Sequence, residues 1–520
     1  MKCRLFVSFW VLWFSASATA LEDLPDLKSI DFVNQTALEI TYPDIVKEVY
    51  ATEEFQLIWH DPTLSQQFES MLIIMHYSGL SELFSSRLTT LQQYRHAGLW
   101  YKYDVTATDT LLNYMHYVSL VSAQGAEWYY GNNIQLPITQ LEPALIHSLI
   151  NTINENRLSD FITALHATPE HRDSLTQAVT LLTDAIDTGI DKYQQDGVAR
   201  KGDVLLNKAQ LLARLDVVGL TYTSNTEASL IFDDELYQLV KQFQTMHGLK
   251  PDGIIGKETL YWINVAPQQR LHSLALNTER SRLIPRDRQN IIIVNLPSFH
   301  LSYWHDGETR FTSKVIVGNK KRKTPLLSIK MDTLIFNPSW NVPKKLVRED
   351  IIPKIKKDET YLDRMNMKVI KNWRTREEID PSTIDWQNIE ADNFAYNMTQ
   401  GPGKQNALGE LKFNTPNARA IYLHDTPAKY LFNKTYRAFS AGCIRVQYAD
   451  KFAKTLMQVQ GIEPPKQSIG PPVSAKVALR QQIPVHLVYQ TAWIKDDVVQ
   501  YRKDIYDYDK VPSTLVLTQN

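Results

Sequence analysis

Near residue 290 the spacing of apolar residues switches from helical to extended. Upstream, they recur every three or four positions, as in Leu111, Met115 and Val118, or Leu175, Val179, Leu182 and Ile186. Downstream, Ile291 to Leu296, Phe299 to Trp304 and Phe311 to Val317 are β-rich runs, separated by Pro297-Ser298, His305-Asp306-Gly307 and Gly318-Asn319. Helices followed by strands predict a multidomain α+β chain, and 520 residues predict roughly three domains.

The first twenty residues read as something to be removed. MKCRLFVSFWVLWFSASATA has a basic start (Lys2, Arg4), an apolar run from Leu5 to Phe14 and an Ala18-Thr19-Ala20 end, the pattern of a cleaved export signal. The other reading is a membrane anchor, but the run is short of the ~20 residues that span a bilayer, so no permanent anchor is expected. Loss of the leader removes Cys3 and leaves Cys443 as the only cysteine. An exported chain with one cysteine cannot form an internal disulfide, and keeping an unpaired thiol in an oxidising compartment implies a use for it. The 56 Lys+Arg and 57 Asp+Glu nearly cancel, so no nucleic-acid partner is indicated.

Residues 21–202 read as a helical scaffold. Thr168-Pro169-Glu170 starts one of its helices and Gly189 stops it. Trp100, Tyr101, Tyr103, Trp128, Tyr129 and Tyr130 are read as core or interface, with a carbohydrate platform as the alternative. Residues 203–266 predict three short helices: one through Leu211, Leu212 and Leu215, one from Asp233-Asp234 to Gly248, and one after the turn Pro251-Asp252-Gly253. The motif FQ..HGL followed by PDG..G..T resembles the small three-helix peptidoglycan-binding domain of cell-wall enzymes. Such residues serve a turn and a core, so a purely structural hairpin stays open. Residues 267–289 read as a linker.

Residues 290–470 read as an antiparallel, sandwich-like β domain, interrupted over 348–400 by an inserted segment placed to act as a lid. Residues 471–520 are expected to complete the scaffold or this domain. Between Lys314 and Arg374, sixteen Lys/Arg face six Asp/Glu. This is either a solvated surface or a field for an anionic substrate.

The chemistry concentrates in Ile421–Val446. A thiol of ordinary pKa, ~8.5, needs a base or a cation to become a nucleophile. His424, nineteen positions before Cys443, supplies an imidazole for both proton transfers. Gly442 permits a close turn whose amides donate to an oxyanion. Asp425 and Ser440 are candidates to orient the imidazole, and Arg445 is a candidate to hold a substrate carboxylate or fix the loop. No HExxH, phosphate loop or ligand cluster occurs, so no cofactor or metal is expected.

His424-Asp425-Thr426-Pro427 and, after a fifteen-residue gap from His424 to Ser440, Ser440-Ala441-Gly442-Cys443-Ile444-Arg445-Val446 resemble the active-site signature of L,D-transpeptidases, the YkuD-type domain. NPSWNVP at 337–343 and GPGKQNALG at 401–409 are similar to motifs of the large YcbB-type branch, whose members add a scaffold, a peptidoglycan-binding domain and a capping subdomain. Ala441 stands where many relatives carry His, so His424 is left as the base. Arg445 stands where some short relatives carry Asn.

The resemblance implies a periplasmic enzyme. Cys443 attacks the carbonyl before the terminal D-Ala of a tetrapeptide stem, and a diaminopimelate amine of a second stem resolves the thioester into a 3→3 cross-link. It further implies Tyr422, Trp340, Arg445 and Asn406 at the substrate site, an oxyanion hole around Gly442 and Cys443, acylation by carbapenems, and glycan-polymerising synthases as partners. An L,D-carboxypeptidase or amidase, or a non-catalytic wall-binding scaffold, are the alternatives.

Overall fold

The computed structural model describes residues 38–52, 56–131, 134, 136, 141–224, 229–465 and 473–510. The expected leader, residues 1–20, lies outside them. No helix among the described residues is long and apolar enough to cross a membrane.

Seven helices build the first unit: α1 (Pro43–Thr52), α2 (Pro62–Ser78), α3 (Glu82–His96), α4 (Trp100–Gly131), α5 (Pro143–Asn154), α6 (Leu158–Leu165) and α7 (Arg172–Thr188). Sequence chemistry sets their ends. Asp61 caps α2 by accepting from the Thr63 amide, Pro62 occupies the first turn, and Gly79 ends the helix at φ +66°. α4 is buried on all sides from Tyr103 to Tyr117 because its neighbours wrap around it. Tyr103, Trp128 and Tyr129 are core residues, and Tyr117 stacks on Trp128 at 5.9 Å. These aromatics therefore serve packing.

The second unit contains α8 (Lys208–Asp216), α9 (Asp234–Met246) and α10 (Lys257–Ile263). Asp233 caps α9 through the Leu236 amide at 2.9 Å. The Pro-Asp-Gly turn is held by Gln244, which accepts from Gly253 N at 2.8 Å and donates to Ile254 O at 2.9 Å. Gly253 is required there: its φ is +71°, and a Cβ would lie 2.1 Å from the Tyr237 ring.

Residues 267–289, expected to be a linker, instead carry α11 (Pro267–Arg280), which packs against α2 and α7. Eleven of its fourteen residues are buried. Its buried charged groups have partners: Arg280 pairs with Asp509 at 2.5 Å, Glu279 pairs with Arg282 at 2.6 Å, and Arg270 donates to the Trp262 carbonyl, which lets a polar-looking segment occupy a buried position. The composition of the segment hid this, because Asp509 and the helices it packs against are distant in sequence.

The β domain is a mixed sheet closed on itself, not an antiparallel sandwich. Its strands are β1 (Asn290–Asn295), β2 (His300–His305), β3 (Glu308–Gly318), β4 (Leu327–Phe336), β9 (Leu411–Asn414), β10 (Leu423–His424), β11 (Ala438–Ser440), β12 (Ile444–Val446) and β13 (Ala475–Val488). The order β11-β3-β12-β10-β9-β4-β13-β1-β2 closes because β2 also pairs with β3. β1–β13, β10–β12 and β3–β11 are parallel pairs. Long connections permit that parallel pairing, which alternation along single strands cannot report. The interior holds Ile292, Val315, Phe413, Leu423, Ile444 and Val485. α13 (Ala449–Val459) packs against it through Phe452 and Leu456.

The insertion has its own four-stranded sheet, order β5-β8-β6-β7, from β5 (Trp340–Val342), β6 (Met367–Asn372), β7 (Glu377–Ile379) and β8 (Asn397–Gln400), joined by α12 (Ile352–Lys357) and shorter turns. It begins at Trp340 rather than residue 348, because Trp340 to Val342 pair with β8. Its core contains Val342, Ile351, Ile355, Val369 and Met398.

The C-terminal segment serves two units. β13 completes the closed sheet, while the hairpin of β14 (Ala492–Lys495) and β15 (Val498–Tyr501) joins the core of the second unit.

Candidate active site

Strand register assembles the site. β10 and β12 run parallel with Leu423 opposite Ile444 and His424 opposite Arg445. Leu423 and Ile444 point into the core. Side chains alternate, so Tyr422, His424, Cys443 and Arg445 share the opposite face. β9 brings Lys412 opposite His424 on that face.

The turn into Cys443 is built by Ser440. Its hydroxyl donates to the Cys443 carbonyl at 2.6 Å and accepts from the Gly442 amide at 3.1 Å. Gly442 has φ +121°, a conformation that favours glycine. Ser440 is therefore committed to the turn and does not orient the imidazole. The Gly442 amide is used internally, whereas the Cys443 amide, like that of Ala441, has no acceptor among the described residues.

His424 is buried, and its Nδ1 lies 2.5 Å from the main-chain oxygen of Asp425. That contact assigns the proton to Nδ1 and leaves Nε2 unprotonated. The orienting group is thus a backbone carbonyl. The Asp425 carboxylate accepts from Glu410 N at 3.1 Å and pairs with Lys429 at 3.1 Å, so it holds the 409–410 loop. Burial, then the charges of Arg445 and Lys412, bring the imidazole down to about 3, against hydrogen bonds that it donates to the Asp425 and Leu408 main chain, which work in the other direction. His424 is a neutral imidazole at physiological pH.

Cys443 is partly exposed and its thiol lies 3.8 Å from Ala420 O. It shares a face with His424 but makes no direct hydrogen bond to it. Burial pushes the thiol up, while Tyr422, Lys412 and Arg445 pull it down. Burial raises the Tyr422 phenol, so it keeps its proton, and its oxygen faces the Cys443 thiol and the Trp340 side chain. Trp340 thereby carries the start of the insertion to the site. Tyr422 and His424 meet edge-on at 5.8 Å.

Two residues need revision. Asn406 is not free for substrate: its amide donates to Pro338 O at 3.0 Å and Gly401 O at 2.8 Å, and its oxygen accepts from Leu408 N at 2.8 Å. It clamps the 401–409 loop over His424. Lys412 was missed, although Leu411 and Phe413 are core residues and alternation then places Lys412 on the outer face. Its ammonium lies 4.0 Å from the Tyr422 ring centroid, and burial lowers its pKa.

Part of the basic run is ion-paired. Arg322 pairs with Asp350 at 2.6 Å and Glu349 at 2.7 Å, Lys368 with Glu378 at 2.7 Å, and Lys371 with Glu377 at 2.9 Å. The cations that act on Cys443, Lys412 and Arg445, lie outside that run, and Arg445 Nε has no hydrogen-bond partner among the described residues. No three His, Cys, Asp or Glu residues among those described could hold a metal ion.

Comparison with known proteins adds to this geometry. Residues 289–474 match the family described as L,D-transpeptidase catalytic domain, 44–179 match a scaffold domain, and 210–263 match a family described as "Putative peptidoglycan binding domain". The chain is 29% identical over 474 residues to a Haemophilus influenzae protein named "Putative L,D-transpeptidase", covering 91% of this chain and 79% of that one. Solved L,D-transpeptidases from Xylanimonas cellulosilytica and Stackebrandtia nassauensis align with 15% and 13% identity, over 57% of this chain in each case and 99% and 96% of theirs. Their TM-scores, 0.19 and 0.21, are too low to establish a common fold. A thiol and an imidazole on one sheet face, in a stretch that matches this family and in the same chain as a match to a putative peptidoglycan-binding domain, place residues 289–474 in the L,D-transpeptidase catalytic-domain family, joined here to a peptidoglycan-binding domain.

Proposed function

We propose that this chain cross-links peptidoglycan stems in the periplasm, with Cys443 as nucleophile and His424 as base. The supporting observation is the register that puts Tyr422, His424, Cys443, Lys412 and Arg445 on one sheet face, its two cations without an ion-paired carboxylate among the described residues.

The thiol proton passes to the unprotonated Nε2 of His424, and the sulfur attacks the carbonyl of the third stem residue. The oxyanion is met by the Cys443 amide, with Tyr422 O–H as the second donor. The C–N bond to the terminal D-Ala breaks, its amine takes the proton back from His424, and a thioester remains. The diaminopimelate amine of a second stem then attacks the thioester, loses its proton to His424 and regenerates the thiol as the 3→3 bond forms. Arg445 faces the stem carboxylates, and Trp340 with Tyr422 lines the donor side. The chemistry is complete without a cofactor. Residues 203–266 hold the wall, and the insertion from Trp340 to Gln400 covers the site.

The test is incubation of the purified chain with disaccharide-tetrapeptide. Dimers with 3→3 bonds and free D-Ala are expected. Tripeptide monomer alone would instead make the enzyme an L,D-carboxypeptidase. A carbapenem mass adduct, lost in Cys443→Ala, tests the nucleophile separately.

A further inference from the structure

Strand β3 ends at Gly318, and the turn that carries Cys443 passes over that end. The Val315 and Val317 amides bond to Phe299 and Arg437 at 2.9 and 3.0 Å, so β2 and β11 follow one edge of β3. β12 takes the other edge, with Arg445 opposite Ile316. Residues 441–443 must cross between them. No side chain fits at Gly318, where a Cβ would lie 2.2 Å from Arg322 O.

The crossing is pinned from beneath by Thr324 and Tyr506, both fully buried. Thr324 Oγ1 donates to the Gly442 carbonyl at 2.7 Å and accepts from Gly318 N at 2.8 Å. Tyr506 O–H donates to Gly318 O at 2.7 Å and accepts from Thr324 N at 3.1 Å. Every polar atom of this ring has a partner, so the positions of Gly318, Thr324 and Gly442 are mutually determined. Gly442 O and Cys443 N belong to one peptide unit, and whatever fixes the carbonyl fixes the amide.

Tyr506 is itself held. Its amide donates to Tyr489 O–H at 2.8 Å, its carbonyl accepts from Lys323 Nζ at 2.5 Å, and its ring stacks on Tyr489 at 5.6 Å. Neighbouring Arg502 donates to Met246 O at 2.7 Å, and Asp509 pairs with Arg280. The segment is thus anchored on the second unit and on α11, and it lies beyond residue 474, where the match to the catalytic family ends.

We infer that Tyr506, acting through Thr324, is a positioning residue for acyl transfer, setting the Gly442–Cys443 peptide so that the Cys443 amide meets the oxyanion. This rests on the acyl-transfer reading above. The role is distinct from thiol activation, because the ring touches the peptide plane and not the sulfur.

Two rates separate these effects in the full chain. Acylation by a carbapenem passes through an oxyanion, whereas alkylation of Cys443 by iodoacetamide does not. In Tyr506→Phe, the limiting acylation rate is expected to fall at least about tenfold, with half-saturating carbapenem and the alkylation rate unchanged. Thr324→Val is expected to do the same, and Thr324→Ser, which keeps the hydroxyl, to restore acylation. Equal acylation in wild type and Tyr506→Phe overturns the inference. So does a parallel change in both rates across the variants, which marks a general loosening of the turn. A wild-type chain that alkylates but never acylates overturns the acyl-transfer reading itself, and this inference with it.

Discussion

His424 and Arg445 stand opposite each other on adjacent parallel strands, so an imidazole and a guanidinium share the surface that carries Cys443. With Lys412 on the other side of His424, the imidazole is flanked by two cations. This arrangement disfavours a resting imidazolium–thiolate pair. Both groups are neutral at rest, a thiol and an uncharged imidazole on one face, and a thiolate at Cys443 would feel Lys412 and Arg445.

Stability should register this in acid. The folded-state pKa of His424 is about 3, below its unfolded value of about 6.5. The unfolded chain therefore binds a proton that the folded chain refuses between those values, and stability falls as pH drops from 6.5 towards 3. His424→Gln removes the contribution, so its melting temperature should lose less than wild type between pH 7 and pH 4.5. Parallel losses would show that the imidazole is not buried as a neutral group.

Thiol reactivity should titrate high. Burial lifts Cys443, so its iodoacetamide rate should still be rising above pH ~8.5, the ordinary thiol value. Lys412→Met and Arg445→Met each remove a charge that favours the thiolate, and each should slow alkylation at pH 8 by about three- to tenfold. A plateau below pH 7 in wild type would contradict the resting state described above.

Asn406→Ala should act on stability before affinity. It leaves two buried carbonyls and the Leu408 amide without their partner, a cost of about 2–4 kcal/mol. Thermal unfolding measures it directly. An unchanged melting temperature with a raised KM would return Asn406 to the substrate site.

Gly442→Ala tests the turn. A Cβ has room, its nearest neighbour being Ile421 at 3.7 Å, so the penalty is backbone strain at φ +121°, about 1–3 kcal/mol. Because relief of that strain rotates the Gly442–Cys443 peptide, carbapenem acylation should fall more steeply than stability does.

Much of the organisation was legible in order. The helical repeats at Leu111–Val118 and Leu175–Ile186 depend on neighbours three and four positions apart and lie on α4 and α7. The Pro-Asp-Gly turn needs Gly253 and Gln244, nine positions before it. What misled was polarity read without partners. α11 looked like a linker because Arg270, Glu279 and Arg280 are charged, yet all three are buried. Asn406 looked like a ligand-binding amide and is a clamp. Asp425 and Ser440 looked like orienters of His424, yet they fasten loops while a carbonyl does the orienting.

The sequence by itself determined one cysteine beyond residue 20, a histidine nineteen residues before it, and a Ser-Ala-Gly approach that favours a tight turn. Tertiary structure alone decided what surrounds that cysteine. Parallel pairing of β10 with β12 puts Tyr422 and His424 on its face, β9 adds Lys412, and Tyr506 arrives from the far end of the chain to hold the peptide beneath it. The physical reason is that local periodicity is set by residues a few positions apart. Strand register and buried hydrogen-bond rings are chosen instead by which distant surfaces can be covered together, with every polar atom paired.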